Sequence, residues 1–503
     1  MFKTYPVPAE LKQILLQNKP VQTVHKLFKQ NNFKIRLAGG YVRDAGILQI
    51  PANDIDFATD ATPDEMHALF KKAEIRTFNV NGEVHGTVSC LIEGETLEIT
   101  TLRSDVETDG RKAVVEFHRD WARDAERRDL TIGQLFLDLD DFLIIDHFDG
   151  VEHLKKNIVK FVGDADKRIR EDYLRILRYF RFLARMTPAE KTIYRDVETL
   201  MKIKNNKQGL VQISRERIWT EMKKICVHEA HGDSVINMIV KDSELSDVIS
   251  LESLKPENYD IYCENFRKIY DLQRKLLIGQ SSFFGRLNKK YENDEPTFKN
   301  QYMILNSYRP SSSIVFLCGL EKVAEVMAAC KALKMSNADR DDAVVVMQYK
   351  NDVSGALAEV NQSEGPSLEQ QLKRIIFKNQ KAVVNLKQRI LFTILVEKAL
   401  NESPEEAFLF FERNEELLEE IFYKWEVPRL PLSGHDIKSE ISYAAKNPKS
   451  LSMFVRICEK AFMEADLDMG REELLQLCRD NVTEEMMNEV PAGKNKNKKS
   501  KKK

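Results

Sequence analysis

The sequence predicts an α+β fold in which a sheet-bearing first domain is followed by an all-helical remainder. Three observations carry that prediction. Strand patterns cluster before residue 150, in "KIRLA" (34–38), "DIDFAT" (54–59), "TVSCLIEGETLEITTLR" (87–103) and "FLIIDHF" (142–148), where β-branched and aromatic residues concentrate. Helical patterns lie between them, as in Pro63 to Lys72. Beyond Gly150 the strand patterns fade, and a 3.6-residue periodicity takes over from about Asp166 onward.

In chain order, the first expected element is an amphipathic helix around Glu10 to Gln30. The strand "KIRLA" then runs into Gly39-Gly40 and "YVRD", which can open a helix. "DIDFAT" is the next strand. The third strand segment folds back on itself as a hairpin at Glu93-Gly94-Glu95. Further on, "NDVSGALAEVNQSEGPS" (351–367) reads as a loop between two helical stretches. The C-terminal "AGKNKNKKSKKK" is low-complexity and expected to be disordered.

Composition narrows the function classes. Hydrophobic content of 43% and charged content of 31% suit a soluble globular chain. A length of 503 residues accommodates about three domains of roughly 150 residues. No apolar run reaches the ~18 residues a membrane span needs. Net charge is −2, yet the last ten residues hold seven lysines, leaving −9 for everything before them. A nucleic-acid partner must therefore meet a local basic patch. The seven cysteines are widely spaced and form no CxxC, so we expect reduced thiols in an intracellular protein, without a disulfide framework or zinc site. Glu10 is the only acid before Asp44, a presequence-like trait. However, residues 1–35 lack Arg and Ser, so an ordinary first helix is the simpler reading.

The carboxylates come next. In a strand, residues i and i+2 share a face, so Asp54 and Asp56 are expected side by side, with Ile55 turned into the core. Two carboxylates that close repel each other unless a divalent cation such as Mg²⁺ lies between them. The bland alternative is a surface D-x-D. Context favours the metal. Glycines at Gly39-Gly40 let backbone N–H groups approach a phosphate, and Arg43-Asp44 follow directly. Glu98, between apolar Leu97 and Ile99, falls on the opposite face from its neighbours, either as a further metal carboxylate beside the aspartates or as a solvated strand residue.

Two arginine groups follow. "DAERRDLTI" supplies Arg127 and Arg128, whose forked donors suit a triphosphate, and Asp129, which can accept from ribose hydroxyls; a solvated charge cluster is the alternative. In "REDYLRILRYFRFLARM", at about 100° per residue, Arg175, Arg178, Arg181 and Arg185 make a basic stripe opposite an apolar face. Asp172 and Arg175 are then i,i+3 neighbours, either as a simple ion pair or as a base reader. Cytosine and adenine each present an amine donor beside a ring-nitrogen acceptor. Asp172 can accept from the first and Arg175 can donate to the second. Uracil and guanine reverse that polarity and would leave buried groups unpaired.

These residues together resemble a known family. "GGYVRD", "DIDFATDATPDEM", "AERRDLTI", "FDG" (148–150), "EDYLRILRYFRF" and "ISRERIWTEMKKI" (213–225) match, in order and spacing, the class II tRNA nucleotidyltransferases, the CCA-adding enzymes. "PLSGHDI" (431–437) resembles a weaker tail motif. The resemblance implies an enzyme with a nucleotidyltransferase head at 1–150, a nucleotide-selecting neck at 151–225, a body at 226–350, a tRNA-contacting tail at 351–490 and a lysine-rich end at 491–503. It implies Mg²⁺ on Asp54 and Asp56, with Glu98 beside them. Gly39, Gly40, Arg43, Arg127, Arg128 and Asp129 would hold the nucleotide. Asp172 and Arg175 would read its base, with Arg178 and Arg181 close by. The partners implied are CTP, ATP and the 3′ end and acceptor arm of tRNA, with no membrane.

"SDVETDGRKAVVE" (104–116) matches a mobile loop of the family. The departure is "TIGQ", with Gly133-Gln134 where the family carries N-[AS]. The "GHD" at 434–436 is not read as a phosphohydrolase site, and His228 and His231 are read as a surface pair. Competing functions are poly(A) synthesis by a relative of the same superfamily and an inactive RNA-binding relative. The lysine end is either a nuclear-import or RNA-contact segment or a dispensable solvated end. The expected location is cytoplasm and nucleus, with the mitochondrion also open.

Overall fold

The computed structural model describes residues 2–482 apart from 53, 79–84, 110–111, 229, 278–310, 318, 321, 361–364, 381–385, 442–443 and 445–447. The lysine-rich end therefore lies outside the described residues, as does Cys318. The chain divides into two compact units, one of residues 1–274 with 310–344 and the other of residues 275–309 with 345–503.

The first unit carries the sheet. Its strands are β1 (Lys3–Pro6), β2 (Ile35–Ala38), β3 (Asp56–Thr59), β4 (Arg76–Phe78), β5 (Thr87–Ile92), β6 (Glu95–Thr101), β9 (Phe136–Asp138) and β10 (Leu143–Asp146), in the order β1-β10-β9-β2-β3-β6-β5-β4. Every pairing is antiparallel except β3 with β6. β5 and β6 form the expected hairpin at Glu93-Gly94. The segment 104–116, expected as a loop, instead forms most of a two-stranded ribbon, β7 (Arg103–Asp109) with β8 (Lys112–Phe117).

The expected first helix is two helices, α1 (Ala9–Gln17) and α2 (Lys19–Gln30). Pro20 lacks an N–H and suits the first turn of a helix rather than its interior. Asn18 leaves the helical region and caps α2 by accepting from the Val21 N–H at 2.9 Å. Helix α3 (Pro63–Lys72) begins with a Thr62–Glu65 capping box and packs Met66, Leu69 and Phe70 inward. Helix α4 (Trp121–Glu126) is capped by Asp120. Ala38, Ala58, Leu102, Ala125, Phe136 and Ile145 form a core cluster behind this part of the sheet.

Beyond the sheet come α5 (Gly150–Lys155), α6 (Ala165–Glu171), α7 (Arg175–Met186), α8 (Val197–Asn206) and α9 (Arg215–Cys226). The helix expected to run unbroken through Asp172 is interrupted there. Asp172 is extended, at φ −152°, and its Oδ1 accepts from the Leu174 N–H at 3.1 Å, a local turn that competes with the helical ladder. His231, expected at the surface, is buried, with Nε2 2.9 Å from the Pro188 carbonyl oxygen.

In the second unit, helices Leu368–Asn379, Gly434–Glu440, Pro448–Glu464 and Arg471–Asp480 share a core that includes Phe377, Ile437, Phe454, Phe462 and Leu474. The expected loop at 351–367 is helical as far as Val360. The "GHD" sequence opens a helix, where Ser433 and Asp436 form a capping box. None of the six described cysteines is in a disulfide, although the buried Cys458 and Cys478 thiols lie 3.2 Å apart. No helix among the described residues is long and apolar enough to cross a membrane.

One close approach fixes the frame of the site. A Cβ on Gly150 would stand 2.2 Å from the Thr131 carbonyl oxygen and 3.2 Å from Gln134 Nε2. Gly150→Ala is therefore expected to push α5 off the Thr131 turn and cost about 2–3 kcal/mol. A lowered melting midpoint would show this, and an unchanged midpoint would mean that α5 can retreat freely.

Candidate active site

β2 ends at Ala38, and Gly39 turns the chain away with φ at +66°, a backbone region that a side chain disfavours. Its N–H donates to the Leu135 carbonyl at 3.0 Å. The chain then enters a π-helical segment, Val42–Leu48. Because β2 leaves the sheet here, the ladder opposite it ends as well. β3 begins at Asp56, and Asp54 lies before the strand rather than on it. The expected placement of both aspartates on one strand face is thus corrected, and Ile55 is only partly buried.

Glu98 lies directly across the parallel β3–β6 pair from Asp56, and its neighbours Leu97 and Ile99 are buried, as the alternation predicts. Burial first, then the negative charges of Glu98 and Asp54, hold the Asp56 carboxyl above the ordinary carboxylate value, while Arg128 opposes them. No group of three or more His, Cys, Asp or Glu able to hold a metal ion occurs among the described residues. The donors are nonetheless hard carboxylate oxygens whose mutual repulsion a divalent cation would relieve. A smaller cation of this class is commonly held by one or two carboxylates together with substrate phosphates.

A cavity of about 630 Å³ opens over these carboxylates. Gly39, Gly40, Arg43, Asp56, Glu98, Arg127, Arg128, Asp129, Asp172, Arg175 and Arg178 all line it. Of the residues assigned to the site from sequence, Asp54 and Arg181 do not. Arg181 instead pairs with Glu221 of α9 at 2.7 Å and lies over the Phe182 ring. The lining also includes Gly133, noted from sequence only as a departure from the family pattern, and Arg103 and Phe182, which the sequence reading passed over. Arg103, five residues beyond Glu98, had a readable signal, being the cation that closes the strand "LEITTLR". Phe182 had one as well, since seven residues beyond Arg175, at about 100° per residue, it returns to the basic face of the helix rather than the apolar one.

Carboxylates hold the arginines in place. Asp124 is 1% exposed and accepts from Arg127 Nε at 2.9 Å and from Arg128 Nη2 at 3.1 Å. Burial pushes the Asp124 carboxyl up, but Arg128 and Arg127 outweigh it and bring the group below its ordinary value. The same balance holds at Asp129, where burial is outweighed chiefly by Arg178, whose Nε donates at 2.5 Å. Asp44 accepts from Arg43 at 2.7 and 2.8 Å and from Arg185 at 2.8 Å.

Asp172 and Arg175 both face the cavity but do not pair with each other. Asp172 Oδ2 accepts from Arg217 Nη2 at 2.9 Å. Arg175 donates to Glu171 Oε2 at 2.7 Å and to the carbonyls of Arg168 and Arg127 at 3.2 and 3.1 Å. The expected i,i+3 contact fails because the helix breaks at Asp172.

The depressed carboxyls give a pH prediction. A carboxyl whose folded value lies below 3.8 contributes stability that is complete above that pH and lost as pH falls through the folded value. Asp124→Ala strands two guanidiniums and is expected to cost about 3–5 kcal/mol near neutrality. In denaturation series, the stability gap between wild type and Asp124→Asn should be full above pH 3.8 and shrink below it. A gap independent of pH would contradict the ion-pair account.

With this geometry established, comparisons with known proteins identify the chain. The poly A polymerase head domain family matches residues 35–160. Human CCA tRNA nucleotidyltransferase 1, mitochondrial, is 34% identical over 90% of this chain and 88% of its own length. The zebrafish (Danio rerio) protein of the same name is 32% identical over the same shares. Among solved structures, the Bacillus stearothermophilus CCA-adding enzyme in complex with CTP aligns with a TM-score of 0.55 at 20% identity, covering 92% of this chain and 98% of that one. The Thermotoga maritima CCA-adding enzyme complexed with tRNA aligns with a TM-score of 0.55 at 18% identity, covering 96% and 100%. These two likenesses establish the shared fold, and nucleotidyltransferases of this kind generally use a divalent metal. The chain belongs to the CCA tRNA nucleotidyltransferase family.

Proposed function

We propose that the chain adds C, C and A to the 3′ end of tRNA from CTP and ATP, releasing pyrophosphate, without a nucleic-acid template. The observation that carries this reading is that one cavity is lined by Asp56 and Glu98, by Arg127 and Arg128, and by Asp172 and Arg175. In our reading Asp54 and Asp56 hold Mg²⁺, which when bound lowers the pKa of the attacking hydroxyl and neutralises the leaving pyrophosphate. Glu98 adds negative charge beside Asp56. Gly39, Gly40, Arg43, Arg127 and Arg128 hold the triphosphate, and Asp129 faces the ribose. The primer 3′-oxygen attacks the α-phosphorus as the bond to the β-phosphate oxygen breaks.

Asp172 and Arg175 read the base. Each Asp172 oxygen has acceptor capacity beyond its one hydrogen bond here, and Arg175 has guanidinium donors beyond those already engaged. The acceptor arm of tRNA would lie along the body and tail segments read from sequence. The two vertebrate relatives carry "mitochondrial" in their names. We place this chain in the mitochondrion as well as in the cytoplasm and nucleus, since every tRNA pool needs the same end.

The test is incorporation into a tRNA transcript lacking CCA, read by product length. Two residues from CTP alone and three from CTP with ATP support the reading. A long A ladder would make the chain a poly(A) polymerase, which the head-domain match equally accommodates. Asp56→Asn and Asp54→Ala are expected to reduce transfer at least a thousandfold, on the order of a catalytic metal's contribution, while tRNA binding persists. Loss of binding instead would refute the metal role. Asp172→Ala is expected to admit UTP and GTP, and unchanged selectivity would remove Asp172 from the base reader.

A further inference from the structure

The departure at Gly133-Gln134 lies between two parts of the cavity that come from distant places in the chain. The Gly133 carbonyl accepts from Arg128 Nη1 at 3.1 Å. Two residues on, the Leu135 carbonyl accepts from the Gly39 N–H at 3.0 Å. Gly39 and Arg128 both line the cavity, and Arg128 Nη1 lies 3.3 Å from where a Gly39 Cβ would stand. One three-residue strip thus holds an arginine and the glycine turn in register with each other.

Gln134 occupies the middle of that strip. It is fully buried and does not line the cavity. Both ends of its amide are engaged on the far side, where Nε2 donates to Asp146 Oδ1 at 2.5 Å and Oε1 accepts from the His147 N–H at 3.1 Å. Asp146 is itself a fixed point. It is 1% exposed and accepts from the N–H groups of Phe148, Gly150 and Val151 at 3.1, 3.0 and 2.9 Å. A side chain as short as Ala or Ser at this position would not reach Asp146, and the strip would lose that tie.

We infer that Gln134 is a positioning residue for the incoming nucleotide. By tying residues 133–135 to Asp146 and His147, it fixes the two carbonyls that aim Arg128 and the Gly39 turn at the triphosphate. The inference rests on the proposed assignment of Gly39 and Arg128 to the phosphates. Gln134 touches no substrate, and its effect passes through backbone placement, where a displacement of about 1 Å is enough to cost a large factor in rate or affinity.

The test compares Gln134→Met, which keeps the volume but removes both hydrogen bonds, with Gln134→Asn, which keeps the amide but is one methylene too short to make both. Arg128→Ala is run beside them. Each protein is assayed below its own melting midpoint. The readouts are Kd for CTP and for ATP without tRNA, KM for CTP and for a tRNA transcript lacking CCA, and kcat. The expected result is a roughly ten- to hundredfold rise in the nucleotide Kd and KM for both Gln134 variants, in the direction of Arg128→Ala. The KM for tRNA and the preference for CTP over UTP should stay as in wild type. A lower melting midpoint with unchanged nucleotide affinity would reduce Gln134 to packing and overturn the inference. So would nucleotide and tRNA constants that worsen together. If Arg128→Ala weakens nucleotide binding and the Gln134 variants do not, the inference fails while the phosphate assignment stands. If Arg128→Ala binds nucleotide as wild type does, the assignment fails and takes the inference with it.

Discussion

The site depends on one constraint, that guanidiniums held beside an apolar core need carboxylates to hold them. Arg43 and Arg185 share Asp44, Arg127 and Arg128 share Asp124, and Arg168 and Arg175 share Glu171. Arg178 has Asp129, Arg181 has Glu221 and Arg217 has Asp172. A formal net charge of only −2 is compatible with an arginine-rich cavity because carboxylates compensate it both in the lining, as at Asp129 and Asp172, and behind it, as at Asp44, Asp124 and Glu171. Arginine serves this arrangement better than lysine. Its planar fork engages a carboxylate with some donors and keeps others aimed outward.

The same pairs join the sheet to the helices that follow it. Arg185 of α7 reaches Asp44 in the segment after the glycine turn, and Arg178 reaches Asp129. Arg175 donates to the Arg127 carbonyl and Arg168 to the Glu126 carbonyl. The helix proposed to read the base is therefore bonded directly to the segment proposed to hold the triphosphate. A template-free enzyme must judge a base while its phosphates are in reacting position, and these bonds set the distance between the two readings.

Elements governed by short-range pattern were legible in the sequence. Strict alternation put Glu98 on the opposite face from Leu97 and Ile99 but left open whether it met the aspartates or solvent, which the β3–β6 register decides, and the 93–94 hairpin followed from local turn residues. The misses arose where a distant partner decided the outcome. Asp54 leaves the strand because Gly39 ends the neighbouring one. Asp172 parts from Arg175 because its Oδ1 caps Leu174 and its Oδ2 meets Arg217, 45 positions away. Arg181 falls on the predicted basic stripe but turns to Glu221 of α9. The break at Asn18, with Pro20 in the first turn beyond it, was the exception. Its signal was local, and amphipathic periodicity across residues 10–30 masked it.

Buried ion pairs are a poor source of stability, because desolvation offsets most of their attraction and well-packed apolar residues of similar volume often do as well or better. Stability alone therefore does not explain why so many charges surround this cavity. Preorganised donors aimed at developing charge lower a barrier without having to reorganise during the reaction. That benefit needs rigid aim more than net binding. It also accounts for the position of Gln134. Because Arg128 is held by a carbonyl as well as by Asp124, its direction depends on the backbone that carries the carbonyl, and that backbone is fixed from behind by a buried amide and the thrice-bonded carboxylate of Asp146. The family's usual short residue at this position must leave that role to other contacts. In the proposed assignment, precision at the triphosphate reaches back to residues that never meet it.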